Sequence, residues 1–324
     1  MKALLCDEFG PAENIKVQEV DIPIPSADEV CVKVRSAGVN FPDILIVEGK
    51  YQFKPKFPFS PGAEAAGEIF SLGSNVHEFQ IGQKVIAMPG HGAFAEYCLC
   101  AKQKLIPLNE KINFEIASIL PMVYGTSAHA LIQRAKLRKG ETLLVHGAAG
   151  GVGLAAIEIG KALGAYVIAA ASTDEKCQVA KKHGADDTIN YSDGQFKDKV
   201  KSITHGKGAN VIYDPVGGDI FDQSLRCIAW EGRLLVIGFT SGRIPSAPAN
   251  LALLKSCDIV GVFWGAFMER TPQINIENFQ KIYEWIEQGY INPKISMRVS
   301  LDNAIEAMKS IAERKIIGKA IVTI

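Results

Sequence analysis

Three glycines, each separated from the next by two residues, stand between an apolar run and a helical pattern. Residues 147–153 read Gly-Ala-Ala-Gly-Gly-Val-Gly and follow the apolar run 142–146. Backbone without Cβ atoms lets a phosphate approach closely, and the next helix offers free N–H groups and its positive end. The strand–turn–helix context favours binding of a dinucleotide pyrophosphate, with an ordinary structural turn as the alternative. The residues predicted to surround the pyrophosphate are Gly147, Gly150, Gly151, Val152 and Gly153.

The residues after the next predicted strand bear on which dinucleotide is bound. An acidic side chain about 20 residues beyond the turn bonds the ribose 2′-hydroxyl of NADH. Here Ala171, at the end of the strand 166–171, and the following Ser172 stand where that acid would sit. Ser172 and Lys176 are therefore predicted to bind a 2′-phosphate, which makes NADPH the predicted cofactor. The alternative is a capping box between Ser172 and Glu175 that starts the next helix and touches no ligand.

The pattern of elements around this turn changes along the chain. A length of 324 residues favours two domains. The first 120 or so residues show short alternating runs between Pro and Gly clusters, a β-rich pattern. Farther on, six apolar runs, most of them separated by helical patterns, predict a doubly wound parallel sheet of the Rossmann type in an α/β protein. These runs are 142–146, 166–171, 187–189, 210–213, 232–237 and 258–262, and two amphipathic helices and a last strand, 319–324, follow them.

The charge balance and the cysteine content of the chain indicate its class of binding partner and its cellular compartment. The chain has 35 Lys+Arg and 35 Asp+Glu without long runs of one sign, so nothing indicates nucleic acid or an anionic membrane as a partner. The seven cysteines are scattered, which fits neither a disulfide scaffold nor a metal knuckle. No run resembles a signal peptide or a membrane span. We expect a small-molecule partner and a cytoplasmic location.

Several stretches together resemble one known family nearly from end to end. They are AGVNFPD (37–43), PGAEAAGEI (61–69), VHGAAGGVGLAAIEIGKALGA (145–165), YDPVGG (213–218), GRLLVIGFTSG (232–242) and IIGKAIV (316–322). The chain resembles the zinc-independent quinone oxidoreductases of the medium-chain dehydrogenase/reductase superfamily, the zeta-crystallin group. The resemblance implies a β-rich, partly barrel-like (GroES-like) substrate domain made from residues 1–122 and 266–324. It also implies a Rossmann nucleotide domain, residues 123–265, inserted between these two segments.

The superfamily also contains zinc enzymes, so the ligand positions decide the metal question. Asn40 stands where such relatives carry a cysteine ligand, and Gly62-Ala63-Glu64 replaces their Gly-His-Glu. Only Cys98 and Cys100 fall where a structural zinc lobe would need four cysteines. No metal is therefore expected. Without a Lewis acid, the favoured hydride acceptor is a quinone or a conjugated enone, since its own π-system spreads the incoming charge.

The resemblance implies two catalytic residues. Asn40 is expected in the active-site cleft, where it hydrogen-bonds the substrate or a water; a loop asparagine that caps the next segment is the alternative. Tyr51 is expected to donate a hydrogen bond to a quinone oxygen, and an ordinary half-buried tyrosine is its alternative. Asp43 also lies in the resembling stretch, with anchoring of the loop as the alternative to a role in the site.

Further cofactor contacts are implied by resemblance. Thr126 matches a position beside the nicotinamide, with a hydroxyl bonded to its own helix as the alternative. Tyr191 and Arg314 match positions near the 2′-phosphate. Their alternatives are a strand-end surface residue for Tyr191 and, for Arg314, a solvated basic loop with Lys315 and Lys319. Gly238 and Phe239 follow the fifth strand, at the sheet edge where ligands bind.

The leading hypothesis is an NADPH-dependent reductase of quinones or enones. The alternatives are a reductase of enoyl thioesters, such as acyl-CoA, and a nucleotide-binding protein without turnover. The apolar segment 258–265 is predicted to be the last strand of the sheet. An uncovered edge strand can pair with a second copy of the chain, so a homodimer is expected.

Overall fold

The structure, a computed structural model, describes residues 1–324 as two compact units. The first unit comprises residues 1–122 and 294–324, and the second unit comprises residues 123–293. The strands are β1 Lys2–Leu5, β2 Lys16–Glu19, β3 Glu29–Val39, β4 Glu64–Leu72, β5 Lys84–Ala87, β6 Tyr97–Ala101, β7 Leu105–Pro107, β8 Thr142–Val145, β9 Tyr166–Ala171, β10 Asp187–Asn190, β11 Ala209–Asp214, β12 Ile228–Val236, β13 Asp258–Gly261, β14 Ile295–Ser300 and β15 Lys319–Thr323. The helices are α1 Phe41–Val47, α2 Phe114–Ala117, α3 Thr126–Ala128, α4 Gly151–Ala162, α5 Asp174–Lys182, α6 Lys197–Ile203, α7 Gly218–Cys227, α8 Ala249–Lys255, α9 Trp264–Arg270, α10 Pro272–Glu287 and α11 Ala304–Ala312. No helix combines the length and the apolar character that crossing a bilayer requires.

The second unit is built on a six-stranded parallel sheet in the order β10-β9-β8-β11-β12-β13. The three strands before the switch run outward in one direction and the three after it in the other, which is the doubly wound arrangement. The central strand β8 buries Leu143, Leu144 and Val145 completely, as expected for a strand covered on both faces. The predicted α/β class and parallel sheet are confirmed.

The first unit contains a seven-stranded, mostly antiparallel sheet. Its order is β14-β15-β3-β4-β5-β7, and β6 pairs with β3 in addition. The C-terminal strand β15 lies antiparallel to β3, with Ala320 opposite Val39. Both ends of the chain therefore build this β-rich unit, in agreement with the expectation of a separate GroES-like domain.

The C-terminal boundary between the units differs from the expected one. Residues 266–293, which the sequence placed in the substrate domain, cluster with the nucleotide unit. Within that unit, Trp264 Nε1 on α9 donates to Asn275 Oδ1 on α10 at 3.0 Å. Gln133 and Asn278 exchange two side-chain hydrogen bonds of 2.9 and 3.1 Å. These bonds fasten α10 to the nucleotide unit, and side-chain pairs so distant in sequence leave no periodic signal.

The last parallel strand is shorter than its apolar run. β13 ends at Gly261, and α9 begins at Trp264 inside the predicted strand 258–265. β13 still forms one edge of the six-stranded sheet, opposite β10 at the other edge.

Candidate functional site: a dinucleotide turn and a buried ionic network

The three spaced glycines of the turn do three different things. Gly147 has a φ of 56°, in the left-handed region that turns the chain after β8. A Cβ on Gly153 would lie 2.4 Å from Gly147 O, so the turn packs directly on the first turn of α4. A Cβ on Gly150 would meet only that same carbonyl oxygen, at 3.3 Å, and otherwise open space. Gly150 therefore leaves room on the side where a pyrophosphate approaches in dinucleotide-binding turns.

The helix after the turn supplies donors to that space. α4 begins at Gly151, and its N-cap is Gly150. Because glycine has no side chain, no cap hydrogen bond satisfies the first backbone N–H groups of the helix. The N–H groups of Gly151 and Val152 are available to an anion, and the helix dipole reinforces this preference. The residues present fit a dinucleotide pyrophosphate.

Predicted contacts for the adenosine end lie together at the carboxyl edge of the sheet. Ala171 ends β9 and its carbonyl accepts from Tyr191 N at 3.0 Å, so Ser172 and Tyr191 leave neighbouring strands side by side. The helix cap is Thr173, whose hydroxyl accepts from Lys176 N at 3.2 Å. The capping-box alternative for Ser172 is therefore wrong, because the helix starts one residue later. Ser172 is exposed.

The structure also brings the segment around Thr126 to the glycine turn. Ser127, the next residue, donates from its hydroxyl to Val152 O at 3.2 Å and bonds Tyr213 Oη at 2.9 Å. α3 is flanked by π-helical turns, Pro121–Gly125 and His129–Arg134, a distortion that is frequent at functional sites. No intrahelical hydrogen bond holds the Thr126 hydroxyl, contrary to the alternative reading.

Gly238 and Phe239 follow β12 at the same carboxyl edge, next to a turn that sequence reasoning missed. Asp214 ends β11, is 1% exposed, and accepts from the N–H groups of Val216 and Gly217 at 2.8 and 2.9 Å. A Cβ on Gly217 would lie 3.0 Å from the Phe239 ring, so the two loops are in close contact. The motif YDPVGG contained this turn, with the aspartate and glycines as its signal.

Three strand ends converge in the first unit and bring distant polar residues together. Asn40 directly follows β3, Glu64 begins β4 opposite Gly38, and Lys319 begins β15 beside Val39. All three side chains are nearly or fully buried, with Asn40 at 7%, Lys319 at 5% and Glu64 at 0% exposure. Gly38 is required here, since a Cβ on it would lie 2.3 Å from Glu64 Oε1.

Lys319 is the centre of this buried ionic network of Asn40, Glu64 and Lys319. Its Nζ donates to Val39 O at 3.0 Å, to Asn40 Oδ1 at 2.6 Å and to Glu64 Oε1 at 3.0 Å. Asn40 Nδ2 donates to Glu64 Oε1 at 2.8 Å, and Glu64 Oε2 accepts from Met122 N at 2.8 Å. Because an ammonium only donates and a carboxylate only accepts, the orientation of the Asn40 amide is fixed. The idea that Lys319 belongs to a solvated basic loop is wrong.

Asp43 extends the network on α1. Asp43 Oδ2 accepts from Asn40 N at 2.8 Å in a capping box, so the loop-capping reading of Asn40 has a structural basis. The side chain is completely buried, and its Oδ1 has no hydrogen-bond partner. Burial raises the pKa of Asp43 to about 7, against the hydrogen bond from Asn40 and the charge of Lys319.

The remaining predicted residues of the first unit are Tyr51 and Arg314. Tyr51 packs against the hydrophobic core and is half-buried, and its hydroxyl has no hydrogen-bond partner. Burial raises the pKa of Tyr51, and the nearby Asp43 raises it further. Arg314 follows α11 with a left-handed φ of 58° and is exposed. The structure gathers no group of three or more His, Cys, Asp or Glu side chains that could hold a metal ion.

Comparison with known proteins connects both units to one family. Residues 26–110 match the alcohol dehydrogenase GroES-like domain, and residues 151–286 match the zinc-binding dehydrogenase family model. The chain is 40% identical over 324 residues to the quinone oxidoreductase-like protein 2 homolog of Nematostella vectensis, covering 99% of this chain and 88% of that one. It is 35% identical over 317 residues to a quinone oxidoreductase of Pseudomonas aeruginosa, covering 97% and 96%.

A solved structure gives the same result. The Escherichia coli quinone oxidoreductase complexed with NADPH matches with a TM-score of 0.93 and 28% identity, covering 100% of both chains. The glycine turn, the strand order and the similarity along the whole length all lead to one assignment. The chain belongs to the quinone oxidoreductase family of the medium-chain dehydrogenase/reductase superfamily.

Proposed function

We propose that the protein transfers hydride from NADPH to a quinone or a conjugated enone without a metal ion. The observation that carries this proposal is the turn at Gly150, where the missing Cβ opens space beside the unsatisfied N–H groups of α4. Ser172 and Tyr191 leave neighbouring strands at the adjoining sheet edge, and they are proposed to receive the 2′-phosphate together with Lys176 of α5. Arg314 is a further candidate for that phosphate.

The acceptor is assigned to Tyr51 and Asn40 of the first unit. The unpartnered Tyr51 hydroxyl is proposed to donate to an acceptor oxygen, which gains negative charge as hydride arrives. Asn40 Nδ2 keeps one weakly used proton, since its second bond, to Gly38 O, is 3.3 Å long. Lys319 and Glu64 hold that amide so that its nitrogen, and not its oxygen, is the available donor.

The proposed reaction needs little help from the protein beyond orientation. NADPH supplies the hydride, and a quinone that takes the hydride and one proton becomes a hydroquinone. The Lys319 ammonium supports the metal-free reaction, because a cation already neutralises Glu64 beside Asn40, where zinc relatives bind their metal. An electron-poor acceptor then requires mainly that its reacting carbon be held close to the hydride donor.

The test is NADPH oxidation with a simple naphthoquinone and an enone, alongside NADH. Rapid turnover with NADPH and slow turnover with NADH supports the proposal. Tight NADPH binding with no oxidation across quinones, enones and enoyl thioesters supports a nucleotide-binding protein instead. A preference for enoyl thioesters over quinones supports the acyl-CoA-type reductase.

A homodimer is proposed on the edge strand β13. The surface beside that edge carries large apolar side chains, with Leu253 77%, Leu254 64% and Phe263 60% exposed. Such a patch next to unpaired strand groups is typical of a subunit interface. Light scattering of the purified protein, and of a Leu253→Lys/Leu254→Lys variant, tests it: the first should be a dimer and the second a monomer.

A cytoplasmic location is proposed from the cysteines. All seven are unpaired and buried, which fits a reducing compartment.

A further inference from the structure

A cluster of aromatic rings lies on the first unit, on the segment that directly follows Tyr51. The chain there reads YQFKPKFPF from residue 51 to residue 59, with aromatic residues and lysines interleaved. Phe53 is 47% exposed and Phe57 is 42% exposed, and Phe9 from the N-terminal segment joins them at 36%. We call Phe9, Phe53, Phe57, Phe59 and His91 the ring cluster.

The rings of the cluster form a connected row. Phe9 meets Phe57 edge-on at 4.5 Å between centroids, and Phe57 lies 5.7 Å from the buried Phe59. His91 links Phe59, at 6.2 Å, to Phe53, at 5.7 Å. The exposed rings therefore pack on Phe59 and His91. Burial lowers the pKa of His91, which favours its uncharged form.

Phe9 is held in place by the backbone. A Cβ on Gly49, whose φ is 68°, would lie 2.9 Å from the Phe9 ring, so the ring packs directly on the chain that leads to Tyr51. Close contacts within the row fix the positions of the exposed rings before anything binds. A rigid apolar surface of this kind costs little conformational entropy when it binds a ligand.

Two lysines give the ring cluster its charge. Lys54 Nζ lies 5.7 Å from the Phe9 ring centroid, a cation–π contact, and follows Phe53 directly in the chain. Neither Lys54 nor Lys56 has a carboxylate partner. Lys50, in contrast, pairs with Glu48 at 2.9 Å. The exposed rings are thus accompanied by two positive charges that no protein group neutralises.

We propose that the ring cluster, with Lys54 and Lys56, binds an anionic group carried on a planar or alkyl body of the electron acceptor. The inference rests on the proposed reductase function, since Tyr51 of the same segment is assigned to the acceptor. Apolar rings take the body of such a ligand, and the lysines take its carboxylate, sulfonate or phosphate. The favoured acceptors are therefore acidic quinones or phosphate-bearing enoyl thioesters, rather than neutral ones.

A matched ligand pair tests the charge. One ligand is a naphthoquinone with a carboxylate on a three-carbon side chain, and the other is its methyl ester, which has the same reacting ring. Calorimetric titration without NADPH should give about three- to tenfold tighter binding of the acid, a margin that shrinks as salt is added. The Lys54→Gln/Lys56→Gln variant should remove this margin and leave ester binding unchanged, while the control Lys50→Gln should keep it.

A second ligand pair identifies the source of the anion. Crotonyl-CoA carries phosphates, and the crotonyl thioester of N-acetylcysteamine does not. A lysine-dependent preference confined to crotonyl-CoA identifies the phosphate, and one confined to the quinone acid identifies the carboxylate; either outcome supports the proposal. Phe53→Ala should weaken both quinone ligands about two- to tenfold, since it removes ring contact and no charge.

The outcomes separate this inference from the proposed function. Equal binding of charged and uncharged partners in both pairs, or a preference that survives Lys54→Gln/Lys56→Gln, overturns the inference. Tighter binding of the acid with no NADPH-dependent reduction of any quinone, enone or enoyl thioester supports the ring cluster as a binding site and overturns the reductase function.

Discussion

Replacing Lys319 by methionine should destabilise the first unit, because it leaves the buried carboxylate of Glu64 without a counter-charge. Methionine keeps much of the side-chain volume but removes three hydrogen bonds and the counter-charge of Glu64. Glu64 is completely buried, so its carboxylate would keep only the donors Asn40 Nδ2 and Met122 N. Breaking a buried ion pair on one side costs about 3–5 kcal/mol. That loss is a large fraction of a total stability of about 5–15 kcal/mol.

Two further variants separate the charge from the volume. Lys319→Met/Glu64→Gln removes both charges and should recover most of the lost free energy of unfolding. Lys315→Met is the matched control, because Lys315 is an exposed lysine of the same segment, paired with Glu313 at the surface. Its cost should stay within about 0.5 kcal/mol.

The assay must report on the first unit. The three tryptophans, Trp230, Trp264 and Trp285, all lie in the second unit, so tryptophan fluorescence would miss a local loss. Native-state hydrogen exchange of peptides from β3 and β15 measures the relevant opening. If Lys319→Met opens these strands no more easily than Lys315→Met, the ionic network has been misread.

Three other predictions follow from the same structure. Asp43→Asn should flatten the pH dependence of stability. The pKa of Asp43 is raised from 3.8 to about 7, so the folded state holds the proton more tightly, and the free energy of unfolding falls by at most about 4 kcal/mol as pH rises through that window. Thermal melts of both proteins across this pH range check the prediction, and parallel curves would contradict it. Gly150→Ala should fold normally yet bind NADPH at least about tenfold more weakly by fluorescence titration, since its Cβ enters the space for the pyrophosphate. Gly153→Ala should instead lower the melting temperature, because its Cβ would lie 2.4 Å from a backbone oxygen. Ser172→Asp should raise the KM for NADPH and lower it for NADH, because a carboxylate repels a 2′-phosphate and accepts from a 2′-hydroxyl; unchanged KM values would remove Ser172 from the site.

Local sequence patterns predicted most of the nucleotide unit. The inner strands were visible as apolar runs, because a strand covered on both faces must be apolar along its length. The edge strand β10, which reads Asp-Thr-Ile-Asn, carries only one apolar residue and gives a much weaker signal. The glycine spacing located the turn at residue 147, where the left-handed φ is found. The attachment of α10 was not predictable, since hydrogen bonds such as Gln133 with Asn278 join residues 145 positions apart.

The acceptor side was predicted less completely. Asn40 was identified by resemblance, but its partners Glu64 and Lys319 were not, because the network depends on three strand ends that meet only in the folded sheet. One signal was present in the sequence. Lys319 opens the otherwise uncharged strand segment KAIVTI, and a lysine at the buried end of a strand needs a counter-charge.

The most direct test of the central claim is NADPH-dependent quinone reduction by protein whose metal content is measured in the same sample. The purified chain should bind NADPH, contain far less than one zinc per chain, and reduce a naphthoquinone at the same rate before and after treatment with a strong chelator. Loss of turnover on removal of stoichiometric zinc, or failure of the folded protein to bind NADPH, would contradict it.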